Sequence, residues 1–271
     1  MEIKVLERDE RNMRLLIRET DIPFMNALRR NIIAEVPCMA IDEVVMIDNS
    51  SVLQDEIIAH RLGLIPLKTD LDSYNLPANC SCKSEFGCNL CRVSLTLDAE
   101  SKEGTRTVYS EELISENLDI TPVSNRIPIV KLAKEQKVKL EAYARLGKGK
   151  SHAKWQPVSM CTYKYFPQIK IDSKRCDKCA KCVEVCPREV LAKSGDKIEI
   201  RNLMACTLCQ DCVDTCQKNP PAIEVNWEKG AFIFNIESTG ALSPERMVKE
   251  AVNILNDQLK EFISEVKVKR K

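Results

Sequence analysis

The chain has 271 residues, and its 41 basic and 40 acidic side chains give a formal net charge of +1, which excludes a global field favouring nucleic acid or a membrane surface. At roughly 100 to 200 residues per domain, this length predicts two or three domains. No secretory signal and no apolar run of membrane-spanning length occurs, so a cytoplasmic protein is expected.

Two strands and a helix are predicted at the amino terminus. Ile3 to Val5 and Met13 to Ile17 alternate apolar and polar residues, which predicts a hairpin of half-buried strands. Thr20 or Asp21 then caps a helix that Pro37 ends. Its apolar face is expected to contain Phe24, Ala27, Leu28, Ile32, Ile33 and Val36. The opposite face carries Asn26, Arg29, Arg30 and Asn31. For that face the pattern leaves open a solvated surface or a partner contact.

Strands dominate the predicted structure from residue 40 to residue 144, with one helix from Asp55 to Leu62. The strands are expected at Ala40 to Ile47, Val93 to Leu97, Arg106 to Tyr109, Ile127 to Leu132 and Val138 to Ala144. The glycine-rich stretch from Gly147 to Ser151 lacks the spacing of a phosphate loop and is interpreted as a basic surface loop.

A cysteine-rich loop interrupts these strands. It carries the pattern C-x-C-x5-C-x2-C at Cys80, Cys82, Cys88 and Cys91. Four thiols this close in sequence suit one tetrahedral zinc ion. A loop of free or oxidised thiols is the alternative.

The strongest signal is a run of eight of the 14 cysteines, in two copies of the spacing C-x2-C-x2-C-x3-C. The copies are Cys176, Cys179, Cys182 and Cys186, and Cys206, Cys209, Cys212 and Cys216. Equivalent cysteines are 30 residues apart, which indicates an internal duplication. Bacterial-type ferredoxins bind two iron–sulfur clusters with this spacing, and the fourth cysteine of each run ligates the other cluster.

Interleaved ligation predicts two 4Fe-4S clusters with defined ligands. The first would take Cys176, Cys179, Cys182 and Cys216. The second would take Cys206, Cys209, Cys212 and Cys186. Gln217 stands where the motif would place a second proline, so a less rigid second loop is expected. A 3Fe-4S cluster or an empty position at one site is a separate alternative. The apolar pairs Val190/Leu191 and Ala222/Ile223 are expected to shield the clusters.

A long helix is predicted at the carboxyl terminus, with Ser243 as its cap and Pro244 at its first position. Its apolar seam has heptad spacing and contains Val248, Val252, Leu255, Leu259, Phe262 and Val266. A helix from Pro244 to Val266 would be about 34 Å long. A partner subunit is therefore expected to cover the seam, with packing on the chain's own sheet as the alternative.

Catalytic motifs are missing from the sequence. It has no dinucleotide fingerprint, no Ser/His/Asp set and only two histidines, His60 and His152. We therefore expect no active site within this chain.

Several motifs, in order along essentially the whole chain, resemble one family. They run from Phe24 to Arg30, from His60 to Leu67, from His152 to Val158 and from Glu237 to Gly240. Together they resemble the alpha-like assembly subunits of archaeal DNA-directed RNA polymerase, in their iron–sulfur-containing form.

The resemblance implies an α+β fold with two insertions. An alpha-subunit-like dimerisation domain would comprise residues 1-45 and 226-271. It would be interrupted by a β-rich domain with the possible zinc loop at 46-165 and by a two-cluster ferredoxin-like domain at 166-225. The zinc loop resembles that of the eukaryotic counterpart, although its middle gap is longer here.

The implied function is assembly of the polymerase, with catalysis in other subunits. Members of this family pair with subunit L through such helices, then recruit the small subunits N and P and the two large catalytic subunits. By the same resemblance, Arg29 and Arg30 would contact a large subunit, and DNA would be met only indirectly. The clusters would fold their domain and tune assembly to redox state or iron supply.

Two other functions compete with this interpretation. The cluster motifs alone would suit an electron-transfer subunit of an oxidoreductase, which leaves the terminal helix unexplained. A zinc-containing DNA-binding protein is disfavoured because no basic face is concentrated near the cysteines.

Overall fold

The structure is a computed structural model that describes residues 1–84 and 86–268, so the end of the predicted 226-271 range, 269–271, lies outside it. The helices within these residues are α1 (Ile22–Ala34), α2 (Asp55–Gly63), α3 (Lys181–Glu184), α4 (Asp211–Asp214) and α5 (Pro244–Val268). Within the same residues, no helix is long and apolar enough to cross a membrane.

The strands make the fold α+β, as the sequence predicts. They are β1 (Glu2–Arg8), β2 (Asn12–Arg18), β3 (Pro37–Asn49), β4 (Val93–Glu100), β5 (Arg106–Tyr109), β6 (Ile114–Ser115), β7 (Pro128–Leu132), β8 (Lys137–Lys148), β9 (Val158–Ile171), β10 (Leu191–Ser194), β11 (Lys197–Ile200) and β12 (Ile223–Ser238). Two four-stranded sheets have the orders β1-β2-β12-β9 and β3-β8-β4-β6, while β10 pairs with β11 and β5 with β7. Strand β9 is an addition to the elements that the sequence pattern indicated.

The chain divides into two compact units. Unit 1 comprises Met1–Glu7, Arg14–Met25 and Thr162–Asn235. Unit 2 comprises Arg8–Met13, Asn26–Cys161 and Ile236–Lys271. This division differs from the ranges implied by the family resemblance, and β9 and β12 both continue across the boundaries expected after residues 165 and 225.

The core of unit 2 forms beneath the sheet that contains β4 and β8. Val93, Leu95 and Leu97 of β4 are buried and alternate with more exposed polar residues, as the period of a strand requires. Leu97 lies opposite Leu140 of β8 in the antiparallel register. Ile58 and Leu62, four residues apart on α2, belong to the same core.

Unit 1 contains one small core cluster that lies beside the cysteine runs. Its buried members are Ile169, Val190, Leu191, Cys206, Ile223 and Val225. The hairpin of β10 and β11 connects the two cysteine runs, with Leu191 opposite Ile200. A core this limited gives the segment little hydrophobic stabilisation of its own.

Helix α1 confirms its predicted cap and corrects one predicted face. The Phe24 N–H donates to Asp21 Oδ1 at 3.0 Å, as expected of an N-cap aspartate. Asn31 was assigned to the polar face, expected to meet either solvent or a partner, but it is only 7% exposed within this chain. The reason is its position three residues after the buried Leu28 and beside the buried Ile32, which places it on the packed side of the helix.

Two further expectations from sequence are corrected. Strand β1 was expected to be half-buried, yet Ile3 and Val5 are both exposed, since β1 is the edge strand of its sheet. The stretch around Gly149 is not a plain surface loop, because a Cβ added at Gly149 would overlap the Ile33 carbonyl oxygen. Glycine there allows the close approach of two backbones.

Candidate metal centres and partner surfaces

The four cysteines predicted to bind the first cluster surround one cavity. Its lining includes Cys176, Cys179, Cys182 and Cys216. The cavity has a volume of about 20 Å³, and Ile171, Ala222 and Ile223 provide apolar walls. The structure thus brings Cys216 of the second run to three cysteines of the first.

The second predicted set surrounds a separate cavity of the same volume, about 20 Å³. Its lining includes Cys206, Cys209, Cys212 and Cys186. Val190 and Leu191 contribute apolar walls, in the place where the sequence predicted shielding. The matched volumes and exchanged fourth cysteines are what two equivalent, interleaved sites would produce.

Left-handed backbone conformations recur in both cysteine loops. Lys178 and Ala180 have φ angles of 64° and 66°. Their counterparts in the second copy, Leu208 and Gln210, have φ angles of 62° and 71°. Non-glycine residues in this region cost on the order of 1 to 3 kcal/mol each, so surrounding interactions must hold them there. The repeated strain indicates that both loops are bent to direct their sulfurs inward.

Backbone N–H groups are directed at several of the cavity sulfurs. Cys216 Sγ accepts from the Ala222 N–H at 3.3 Å, and Cys206 Sγ from the Leu208 N–H at 3.4 Å. Such bonds favour thiolate over thiol, and they tune the potential of thiolate-bound iron. The donor set therefore fits an anionic, thiolate-ligated group.

Without a metal, the inner cysteines of both loops favour the neutral thiol. Burial, together with the neighbouring Cys206, raises the pKa of Cys212 to about 11. Burial also raises the pKa of Cys182, reinforced by Cys176. A metal group bound by the four cysteines of a cavity would displace their protons.

The four cysteines of the zinc-loop prediction form a much tighter cluster. The Sγ–Sγ distances are 3.7 Å for Cys80–Cys88, 3.8 Å for Cys82–Cys91 and 3.9 Å for Cys88–Cys91. Tetrahedral zinc with Zn–S bonds of about 2.3 Å places its sulfurs about 3.8 Å apart. All four sulfurs lie within 4.8 Å of one another, and this group could hold a metal ion.

Neighbouring residues fix this loop against β8. The Arg92 guanidinium lies 3.4 Å from the centroid of the Tyr143 ring and donates to the Phe86 carbonyl oxygen. Gly87 has a φ of +76°, and a Cβ there would approach Cys91 Sγ to 3.3 Å. The loop thus uses a cation on an aromatic face and a left-handed glycine to bring its cysteines together.

Metal binding at this loop is expected to weaken as pH falls. The Ser84 N–H and the Cys80 thiol lower the pKa of Cys82 to about 7, whereas burial raises the pKa of Cys91 to about 12. Cys82 is therefore protonated below pH 7, and Cys91 gives up its proton only to a metal. Competition titrations with a chromophoric zinc chelator should show the apparent affinity falling about tenfold per pH unit for each proton released.

A cysteine substitution provides the control for this prediction. Cys82→Ser should reduce zinc from one ion per chain to a substoichiometric amount, whereas Cys161→Ala removes a buried thiol outside the loop and should leave zinc unchanged. A pH-independent affinity, or full zinc occupancy in Cys82→Ser, would contradict a four-thiolate site.

The predicted partner residues lie on α1 and α5. Arg30 is exposed, while Arg29 is half-buried and donates to Asn26 Oδ1. In the α5 seam, Val248 and Leu255 are partly buried in this chain. The exposed members are Val252, Leu259, Phe262 and Val266. Ile263, which the heptad pattern did not include, is also exposed.

Two basic side chains near the second cysteine run were not identified from the sequence. Lys164 and Arg14 both donate to the Met204 carbonyl oxygen, from positions 40 and 190 residues away in the chain. Only the folding of β2 and β9 brings them there, and no spacing in the sequence signals it.

Comparison with known proteins gives consistent similarities over nearly the whole chain. The family described as the RNA polymerase Rpb3/Rpb11 dimerisation domain matches residues 14–259. DNA-directed RNA polymerase subunit Rpo3 of Methanosphaera stadtmanae is 40% identical over 266 residues, covering 97% of this chain and 98% of the relative. Rpo3 of Archaeoglobus fulgidus is 42% identical, with 96% of each chain covered. DNA-directed RNA polymerase II subunit rpb3 of Dictyostelium discoideum is 38% identical, covering 95% of this chain and 92% of the relative.

Proposed function

Because the chain belongs to the RNA polymerase Rpb3/Rpb11 dimerisation family and matches archaeal Rpo3 subunits along its length, we propose that it is a non-catalytic assembly subunit of an archaeal RNA polymerase. It forms a heterodimer with the small alpha-like subunit L. The pair then recruits the small subunits N and P and the two large catalytic subunits. Its place of action is the cytoplasm.

The observation that carries this proposal is the apolar surface of α5. Met247 and Ala251 are fully buried near the start of the helix, whereas Leu259 and Phe262 are 54% and 65% exposed. A row of large apolar side chains exposed on one helix face marks an interaction site. Heptad spacing favours another helix as its partner.

Arg29 and Arg30 provide a second contact, with a large subunit. Arg30 is exposed, and the Asn26 side chain orients the Arg29 guanidinium. Arginine forks of this kind suit bidentate pairing with carboxylates of a partner.

Each cavity of unit 1 holds a 4Fe-4S cluster in this proposal. Cys176, Cys179, Cys182 and Cys216 hold the first, and Cys206, Cys209, Cys212 and Cys186 hold the second. The exchanged fourth cysteines, the sulfur-directed N–H groups and the apolar walls support this assignment. The clusters, when bound, supply the cross-links that fold residues 166-225, and their loss couples assembly to redox state or iron supply. A 3Fe-4S cluster at one site is the variant of this proposal.

Zinc is the metal that we propose for Cys80, Cys82, Cys88 and Cys91, since the sulfur separations match a tetrahedral ion. It stabilises the loop of the β-rich domain at 46-165. The dimerisation domain at 1-45 and 226-271 remains the proposed framework for both insertions.

An electron-transfer role is the second candidate, and one observation favours it. Cys182 lines the first cavity and Cys186, four residues later, lines the second, and both raise the pKa of Cys212, so two clusters would lie close enough to influence each other. That role would require a partner oxidoreductase and leaves the α5 surface without a purpose.

Anaerobic co-expression with candidate partners separates the two functions. The assembly function predicts co-purification with the small alpha-like subunit and then with subunits N and P, independent of any electron donor. Recovery of the chain as a monomer, or together with a reductase, would refute the assembly function.

A further inference from the structure

Two cations converge on the backbone that leads into the second cysteine run. Lys164 Nζ donates to the carbonyl oxygens of Met204 at 2.7 Å and Cys206 at 2.8 Å. The Arg14 guanidinium donates to the same Met204 oxygen at 3.2 Å. Lys164 is on β9 and Arg14 on β2, so the backbone at Met204 is tied to two strands of the sheet and that of Cys206 to β9.

The first cysteine run is tied in a different way. Its ion pairs are Lys178–Asp196 at 3.2 Å and Lys218–Asp177 at 3.3 Å, between side chains that are at least 39% exposed, and the Cys176 N–H donates to the Asp172 carbonyl oxygen at 3.0 Å. Exposed ion pairs contribute little and are screened by salt. Hydrogen bonds from a charged donor to partly buried carbonyls are stronger. The duplicated loops therefore differ in how firmly they are held.

The linings of the two cavities are matched in charge, with Lys181 and Asp177 at the first and Arg188 and Asp211 at the second, so Lys164 is an additional positive charge beside the second. The ammonium of Lys164 contacts the carbonyl of Cys206, a residue that lines the second cavity. A positive charge beside an iron–sulfur cluster stabilises its reduced form, because reduction adds a negative charge. The Lys164 charge is therefore expected to favour reduction of a cluster at the second site.

We propose that Lys164, assisted by Arg14, is the positioning residue of the second cluster. It holds Cys206 in its ligating position before iron arrives, and it makes the second cluster the more easily reduced of the two. This inference rests on the proposed presence of two clusters.

The test uses the full chain, reconstituted anaerobically with iron and sulfide. Wild type should bind about eight irons and show two reduction steps in a titration monitored by electron paramagnetic resonance. Failure of wild type to bind iron would refute the clusters themselves, which separates that outcome from failure of the Lys164 proposal.

Lys164→Met should either lower iron to about four per chain or retain both clusters with the higher of the two potentials decreased. Lys164→Arg should restore wild-type behaviour, since it keeps the charge and the donors. Lys170→Met, which changes an exposed lysine on the same strand, is the matched control. In a Cys179→Ser background, where only the second cluster remains, Lys164→Met should affect that remaining cluster.

Three outcomes would overturn the proposal. They are unchanged iron and potentials in Lys164→Met, an equal effect of Lys170→Met, and loss of the first cluster instead of the second. If Lys164→Met loses both its iron and the circular dichroism signal of the folded protein, the variant has unfolded. The reduction potential of the second cluster in Lys164→Arg then provides the test, and a potential different from that of wild type counts against the proposal.

Discussion

Replacing Cys176 and Cys206 together with serine is expected to remove both clusters and unfold residues 171–225, while the chain still binds its partner subunit through α5. Each proposed cluster loses one of its four ligands in this variant. The local core contains only six buried side chains, which is too few to fold the segment without metal. Metal binding in small metal-dependent domains contributes on the order of 10 kcal/mol to folding.

Hydrogen exchange and limited proteolysis would measure the result. Amides from 171 to 225 should lose protection, whereas those of β4 and β8 should keep it, because they belong to the separate core of unit 2. Cys161→Ala, which removes a buried thiol outside both runs, is the control. Loss of the heterodimer in the double variant would contradict the prediction that the proposed dimerisation domain, 1-45 and 226-271, folds independently of residues 171–225.

Substituting Phe262 with glutamate should abolish or strongly weaken the heterodimer while leaving the fold of this chain intact. The side chain is 65% exposed, so the substitution buries no charge within the chain itself. At an interface, loss of an aromatic anchor typically costs about 2 kcal/mol or more, which corresponds to about thirtyfold in Kd. Burial of an unpaired carboxylate adds to that cost.

Sedimentation or calorimetry with the small partner subunit would measure this affinity. Asn253→Glu adds the same charge to an exposed position on the far side of α5 from the seam and should bind normally. Equal binding by wild type and Phe262→Glu would mean that the exposed seam serves something other than this partner.

The sequence predicts best where the determining interactions are local. The caps of α1 and α5 involve residues three apart, and the structure reproduces both, with the Arg246 N–H donating to Ser243 Oγ. The cysteines of each run have fixed local spacing, and the repeat predicted which four belong to each set. In the structure each of these sets lines one cavity.

Features that depend on distant neighbours were missed. Asn31 is buried although its type and position assigned it to the polar face. Strand β9 mixes aromatic and basic residues without clean alternation and contains Pro167, so its pattern did not indicate a strand. The contact of Lys164 with Met204 follows from tertiary structure, which no period of hydrophobicity encodes.

The exchange of fourth cysteines between the two runs also bears on how the protein is synthesised. A nascent chain that has reached Cys186 contains four cysteines, but in the interleaved arrangement it contains no complete cluster site. The first complete site appears only when translation has passed Cys212, and the other only after Cys216. If the clusters bind as proposed, only chains whose second half has been made would retain iron, and fragments released by ribosomes that stall in the β10–β11 hairpin would hold no cluster.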